Sequence, residues 1–362
     1  MSTIFLTGFP GFLGSRLLPS ILARSADADA VCLVQPHFVE LSRQRVAELE
    51  RAHPGLTGRI RLVTGDITRP GLGLDGAEAI AADVSEIYHL AAVYDLTVPR
   101  DLAVKVNVDG TRHLLSFAQI CPALSRFQYV STCYVSGRYA GVFTEQDLEK
   151  GQRFNNFYEE TKYLAEVDVQ AAMRQGLPAT IYRPGIVVGD SRTGETQKYD
   201  GPYVVIRWLL RQPRIAFLPV SGDPTQYLTN VVPSDFVIDA MAHLSGLDAS
   251  AGKVYQLADP DPLTVDRMID VLAEATGRKV VRLPVPRSVA KGMIHYVPFV
   301  ERILQIPAES VDYFTHPTRY TTDNTRADLQ GSGITCPRFD AYAANLVRFV
   351  REHPEVSRKG MV

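Results

Sequence analysis

The sequence predicts an α/β protein built on a doubly wound parallel sheet, with a smaller lobe formed mainly by the C-terminal half. Three observations lead there. A glycine-rich turn stands between the first apolar run and the first helical pattern. Strand-like and helix-like segments then alternate through the first half of the chain. Beyond Gly189 the pattern loosens into segments punctuated by Gly and Pro.

Thr3-Ile4-Phe5-Leu6 reads as the first strand and Phe12 to Arg24 as the first helix, in which Pro19 is expected to introduce a bend. Further strands are expected over Ala30 to Val34, Arg59 to Val63, Glu86 to Leu90, Phe127 to Thr132 and Ala179 to Tyr182, with helical patterns between them. The stretch Asn156 to Arg174 lacks Gly and Pro and repeats apolar residues at helical spacing, and Gly176-Leu177-Pro178 stops it. Strands return near Val254 to Leu257 and Val280 to Leu283. Residues 1–188 are therefore read as a Rossmann nucleotide-binding domain. Residues 189–356 are read mainly as a second lobe, interleaved with returning Rossmann segments, and 357–362 as a fraying tail.

Composition narrows the class. The 362 residues are 46% hydrophobic and 22% charged with a net charge of -2, as expected of a globular chain with ample core and without the basic footprint of a nucleic-acid binder. Cys32, Cys121, Cys133 and Cys336 show no paired spacing, which suits reduced thiols and a cytoplasmic setting. The eight histidines form no metal motif. No signal peptide and no membrane span are expected.

The turn Thr7-Gly8-Phe9-Pro10-Gly11-Phe12-Leu13-Gly14 has the strand, turn and helix context of a dinucleotide site. Gly8 suits a positive φ, Gly11 a close approach of backbone to pyrophosphate, and Gly14 tight helix-to-strand packing. Tyr158 and Lys162, four apart, should share one helix face. A phenol of ordinary pKa ~10 is a poor proton donor and acceptor at neutral pH, and a neighbouring ammonium is expected to lower that value. Ser131 and Thr132 close a strand-like run, and alternation lets only one of them face a ligand. Cys133 is read as a small apolar filler.

Taken together, Gly8-x-x-Gly11-x-x-Gly14, His89-Leu90-Ala91-Ala92, Asn107-Val108-Asp109-Gly110-Thr111, Ser131-Thr132 and Tyr158-x-x-x-Lys162 resemble the extended short-chain dehydrogenase/reductase family over most of the chain. The resemblance implies an NAD(P)-dependent oxidoreductase, a small-molecule substrate bound by the second lobe and a possible homodimer. In that family the catalytic hydroxyl lies five residues before a glycine that ends the segment, so the resemblance, counted back from Gly137, implies Thr132 as the catalytic hydroxyl beside Tyr158 and Lys162 and leaves Ser131 structural. Asn107 resembles the family's supporting asparagine, or else caps the helix around Val108 to Ala118. Leu90, Ala91 and Ala92, and Pro184, Gly185 and Ile186, are expected beside the cofactor. Asp66 and Ile67 resemble the family's adenine-contacting pair, although Asp66 equally suits a turn cap.

Cofactor choice is read at the end of the second strand, where Gln35 replaces the acidic residue that binds the ribose of NAD. Arg43 and Arg45 would offer cations to a 2′-phosphate, unless both are solvent-facing helix charges. The set favours NADPH over NADH. Tyr182 to Gly194 and Val231 to Val237 resemble the male-sterility and thioester-reductase branch, whose members reduce acyl thioesters or aldehydes and use a Thr, Tyr and Lys set. Gln35 stands where those reductases usually carry arginine. With no carrier or adenylating domain in the sequence, a freestanding reductase of aldehydes or ketones is an equal expectation. Gln197 to Tyr203 and the apolar stretch Val289 to Ile306 are the expected pocket segments, the latter equally a core helix. A nucleotide-sugar epimerase or dehydratase and a nonenzymatic NADP-binding redox sensor are the alternative functions.

Overall fold

Ile4, Phe5 and Leu6 are all buried, so β1 (Ser2–Thr7) can only be a central strand covered on both faces. The computed structural model describes residues 2–95, 97–285 and 314–356. The chain continues through α1 (Phe12–Leu22), β2 (Ala28–Val34), α2 (Val39–Ala52), β3 (Ile60–Thr64), α3 (Ala77–Ala81) and β4 (Val84–His89). After α4 (Arg100–Ala103) come α5 (Gly110–Gln119), β5 (Arg126–Val130), β6 (Gly141–Phe143), α6 (Phe157–Arg174), β7 (Ala179–Pro184) and β8 (Ile186–Val188). The second half contributes α7 (Pro202–Leu210), β9 (Ile215–Val220), β10 (Val231–Pro233), α8 (Ser234–Ser245), β11 (Val254–Leu257), α9 (Val265–Thr276), β12 (Lys279–Pro284), β13 (Thr318–Tyr320) and two closing helices, Asp323–Leu329 and Phe339–Glu352.

A seven-stranded sheet runs β11-β7-β5-β4-β1-β2-β3. Every pairing in it is parallel. One face is covered by α1 and α8, whose Leu17, Leu18, Ile21, Met241 and Leu244 share a core. The other is covered by α5 and α6 through Leu114, Phe117, Ala165 and Val169. Strand order reverses between β1 and β4, and the crevice beyond their carboxyl ends is where such sheets bind ligands.

The second lobe has its own core, in which Tyr203, Ile206 and Leu209 of α7 meet Met268 and Leu272 of α9 and Leu346 of the last helix. Its strands form short parallel pairs, β8 with β10 and β9 with β12. A third pair, β6 with β13, joins a loop after β5 to the end of the chain. Strand β11 returns to the edge of the main sheet.

Two local expectations change. Strand β5 stops at Val130, and Ser131 and Thr132 lie beyond its end, Thr132 in extended geometry. The helix predicted from Val108 starts as a π-helical turn, Val104–Asp109, that runs into α5. Pro19 lies inside α1. Val289 to Ile306 and the tail 357–362 lie outside the described residues.

Candidate active site

The turn after β1 is built around glycine. Gly8 has φ +91°, and a side chain there would place its Cβ 2.8 Å from the Ala91 nitrogen and the Leu90 carbonyl carbon. Strand β4's exit loop thus packs directly on the turn. Gly14 lies in α1, where a Cβ would be 2.6 Å from the Gly8 carbonyl oxygen. Gly11 caps α1 with φ -60°, and its N–H closes the turn on Gly8 O at 2.9 Å. Phe9 is buried in the core, and the guanidinium of Arg16 lies over the Phe12 ring. The first N–H groups of α1, at Phe12, Leu13 and Gly14, stand at the helix's positive end.

At the ends of the next two strands, Gln35 hydrogen-bonds Asp66. Asp66 also accepts from Thr68 N–H at 2.8 Å, as a turn cap does. Burial pushes the Asp66 carboxyl up, but the Thr68 and Gln35 bonds and nearby Arg69 outweigh it, so it is held below the usual range. Ile67 is buried against Gly110, whose added Cβ would lie 2.8 Å from the Ile67 side chain. Arg43 and Arg45 pair with Glu40 and Glu48 one turn away on α2, at 3.5 and 2.9 Å. Gly185, between β7 and β8, is crowded by Asn230, whose Oδ1 would be 2.7 Å from a Cβ there. Its neighbours Pro184 and Ile186 carry a hydrogen bond each, from Thr132 and to Asn230 O.

Helix α6 begins at a cap, with Asn156 Oδ1 accepting from Glu159 N–H at 2.9 Å, and Tyr158 stands in its first turn. The Tyr158 and Thr132 hydroxyls are hydrogen-bonded. Ser131 points elsewhere: its hydroxyl donates to Glu166, which forms a fully buried ion pair with Arg183 at 2.6 Å. Cys133 is buried, with its thiol on the Arg183 carbonyl and its pKa driven up by burial. Sequential residues beyond β5 therefore face opposite ways.

Lys162 is buried and its ammonium donates to the Tyr129 hydroxyl at 2.9 Å and the Val130 carbonyl at 2.7 Å. Burial pushes its pKa down to about 7, against the pull of Glu166. Burial pushes the Tyr158 phenol up instead, opposed by its bond to Thr132. This corrects the expectation that Lys162 lowers the phenol's pKa, because the amine is turned toward Tyr129. Asn107 is likewise no helix cap. Its side chain takes both backbone polar groups of Val93, at 2.9 and 3.2 Å, and donates to Thr161 at 3.0 Å, tying the loop after β4 to α6.

Sequence reasoning missed two groups here. Tyr129 shares a strand face with Ser131, as Lys162 shares a helix stripe with Glu166, so period 2 against period 3.6 held a readable match. Tyr94 meets the Tyr158 ring edge-on at 5.7 Å and donates its hydroxyl to Asp200. Lys198 stacks on Tyr94 at 3.9 Å and stands 3.3 Å from Asp200, whose carboxyl burial pushes up to about 7. The segment Gln197 to Tyr203 thus reaches the site. A cleft of about 550 Å³ opens beside the start of α6, between Thr97-Val98 and Arg153 to Phe157. Among the described residues no His, Cys, Asp and Glu group could hold a metal, and no helix is long and apolar enough to cross a membrane.

Known proteins share this arrangement. The family model described as male sterility protein matches residues 6–241. A component of the linear gramicidin synthase of Brevibacillus parabrevis is 30% identical over 275 residues, 73% of this chain but 5% of that protein. Glycine betaine reductase ATRR of Emericella nidulans is 29% identical over 75% of this chain and 22% of that protein. The chain therefore spans a quarter or less of these two curated relatives. Aldehyde reductase lnbA of Aspergillus flavus is 26% identical over 78% of this chain and 29% of its own length. Among solved structures, the terminal R domain from the myxalamid PKS-NRPS biosynthetic pathway superposes with a TM-score of 0.82 at 28% identity, covering 98% of this chain and 91% of that one. With the family model spanning well over half of its length, this chain belongs to the male sterility protein family, within the extended short-chain dehydrogenases/reductases.

Proposed function

We propose that this protein is an NADPH-dependent reductase of an acyl thioester or aldehyde carrying a mainly apolar group. The observation that carries the reading is the hydrogen bond between Tyr158, in the first turn of α6, and Thr132, beyond the end of β5, the strand beside β4. The names of the similar proteins, an aldehyde reductase and a glycine betaine reductase among them, support a carbonyl reduction.

The chain's residues fit a dinucleotide. Gly8 and Gly14 let the turn pack directly on the β4 exit loop and on α1, and the amino end of α1 offers N–H donors to a diphosphate. Asp66 and Ile67 would border the adenine, and Leu90 to Ala92 and Pro184 to Ile186 would border the rest of the cofactor. Gln35 leaves the ribose position without a carboxylate of its own, which favours NADPH, and Arg43 and Arg45 would turn from their exposed glutamates to the 2′-phosphate. When bound, the nicotinamide supplies hydride to the carbonyl carbon.

Thr132 and Tyr158 would both donate to the substrate oxygen, where negative charge develops, and Tyr158 would release its proton to it. Lys162 spends two hydrogens on Tyr129 and Val130, leaving one for the cofactor ribose. Val98, Phe154 and Phe157 offer the cleft's apolar wall to the remainder of the substrate.

The test is consumption of NADPH and of NADH with medium-chain acyl-CoAs, the matching aldehydes and nucleotide sugars. NADPH oxidation by an acyl-CoA or aldehyde is expected. Tyr158→Phe should lose ~10²–10⁴-fold in kcat while still binding NADPH. Turnover of a nucleotide sugar alone, or undiminished turnover by the variant, would overturn the reading.

A further inference from the structure

Resting on the reading of the crevice as the cofactor site, we infer that Tyr129 and His89 are positioning residues: a buried hydrogen-bond chain, whose two arms converge on the Thr111 hydroxyl, links the Lys162 amine to the backbone of the glycine turn.

The direction of each bond follows from proton count. The single hydroxyl hydrogen of Thr111 goes to the Asn107 carbonyl at 2.6 Å, an acceptor that cannot reciprocate. Thr111 Oγ1 must then accept from its other partners, His89 Nε2 at 3.0 Å and the Tyr129 hydroxyl. With its own hydrogen committed to Thr111, Tyr129 can only accept from Lys162 Nζ, at 2.9 Å. His89, carrying its hydrogen on Nε2, offers Nδ1 as an acceptor to Thr7 Oγ1 at 2.8 Å. Thr7 Oγ1 in turn accepts from Ala91 N–H at 3.3 Å. Ala91 N is the atom that leaves no room for a side chain on Gly8, and Thr7 is Gly8's chain neighbour.

The imidazole is neutral in this scheme, as burial requires: its pKa is pushed down to about 3, with Lys162 adding to the effect. The charged groups that face the chain are Lys162 itself and, on α6, Glu166 and Asp168. Glu166 is neutralised by Arg183, and Asp168 by Arg112 at 2.7 Å. Each hydrogen on Ala91 N, Thr7, His89, Thr111 and Tyr129 has one acceptor, and Thr111 Oγ1 accepts from both arms, so the chain has a single proton arrangement. Both ends touch the crevice: one sets the turn against the β4 exit loop, and the other aims the amine that the ribose would meet. Removing a middle member therefore loosens groups that lie far from it.

The test compares the parent with Tyr129→Phe, His89→Leu and His89→Gln, by calorimetric NADPH binding between pH 6 and 9 and by thermal unfolding. Tyr129→Phe keeps the ring but strands the Lys162 hydrogen. It should weaken NADPH ~10-fold or more and shift the pH at which affinity falls away, with native unfolding cooperativity. His89→Gln retains a donor and an acceptor and should recover much of the affinity that His89→Leu loses. Parental affinity and pH profile in Tyr129→Phe would overturn the inference, even if His89→Leu fails to fold. Loss of affinity in His89→Leu with no recovery in His89→Gln would overturn the part assigned to His89. If the parent binds neither NADPH nor NADH, the cofactor reading falls and this inference with it.

Discussion

Asp200 is a carboxylic acid held against Tyr94 and Lys198, with its carboxyl pushed up to about 7 by burial. The native state therefore binds its proton more tightly than the unfolded chain, whose carboxyl titrates near ~3.9. Its contribution to stability is full below that lower value and is lost as pH rises through about 7. Asp200→Asn fixes the neutral form. Its thermal stability should exceed the parent's by a margin that grows between pH 5 and pH 8 by roughly 1 kcal/mol, a figure kept small because the side chain is partly wet. An equal margin at both pH values would dissociate Tyr94 and Asp200 from any proton held between them. The sequence makes Thr132, Tyr158 and Lys162 visible because their spacing is fixed by one strand end and one helix. Tyr94 and Asp200 are 106 residues apart and meet only through tertiary folding, so no local pattern reveals them.

Among the elements, α1 is the one most tightly bound to the site's shape. Gly14 allows α1 to lie on the Gly8 carbonyl, and the 2.6 Å approach of an added Cβ would press on backbone, which cannot rotate away. Gly14→Ala should cost about 1–3 kcal/mol of stability and weaken NADPH, since α1 must move off the turn it caps. Gly55, with open space around it and φ outside the left-handed region, provides the control: Gly55→Ala should change neither. Urea unfolding and nucleotide binding of both variants check this, and equal behaviour would remove the packing role from Gly14. The main-sheet strands are legible in sequence because parallel strands buried on both faces read as apolar runs. The π-helical turn at Asn107 is not, since its cause is the side chain's attachment to Val93 and Thr161 across the fold. Strand β11 is legible as a strand at Val254 to Leu257, but its place beside β7 follows from sheet topology alone.

For the whole molecule, two buried imidazoles among the described residues bear on the acid limit. His89 lies in the main domain between Thr7 and Thr111, and His316 lies where the last part of the chain meets it, bonded to Tyr320 at 2.7 Å and tilted against the Tyr134 ring at 4.9 Å. Burial pushes both down to about 3, Lys162 assisting at His89 and Arg138 at His316. An unfolded chain protonates its histidines near ~6.5. Between those values the unfolded state binds protons that the native state refuses. The stability these neutral rings contribute is thus intact above ~6.5 and is lost progressively as pH falls toward about 3. Carboxylates held low, such as Asp66 and Asp190, act only further into the acid range. In an Asp200→Asn background, which removes the opposing gain as Asp200 protonates, equilibrium urea unfolding should therefore show a midpoint that declines already between pH 6.5 and 5, before the carboxylates held low titrate. His316→Gln keeps a donor for Tyr320 and removes the titration, so its decline over that interval should be about half as steep. The two histidines carry similar shifts in separate parts of the fold, and their effects should add. An undiminished slope in His316→Gln would show that this imidazole is hydrated and titrates normally, and would place the acid limit on the carboxylates instead.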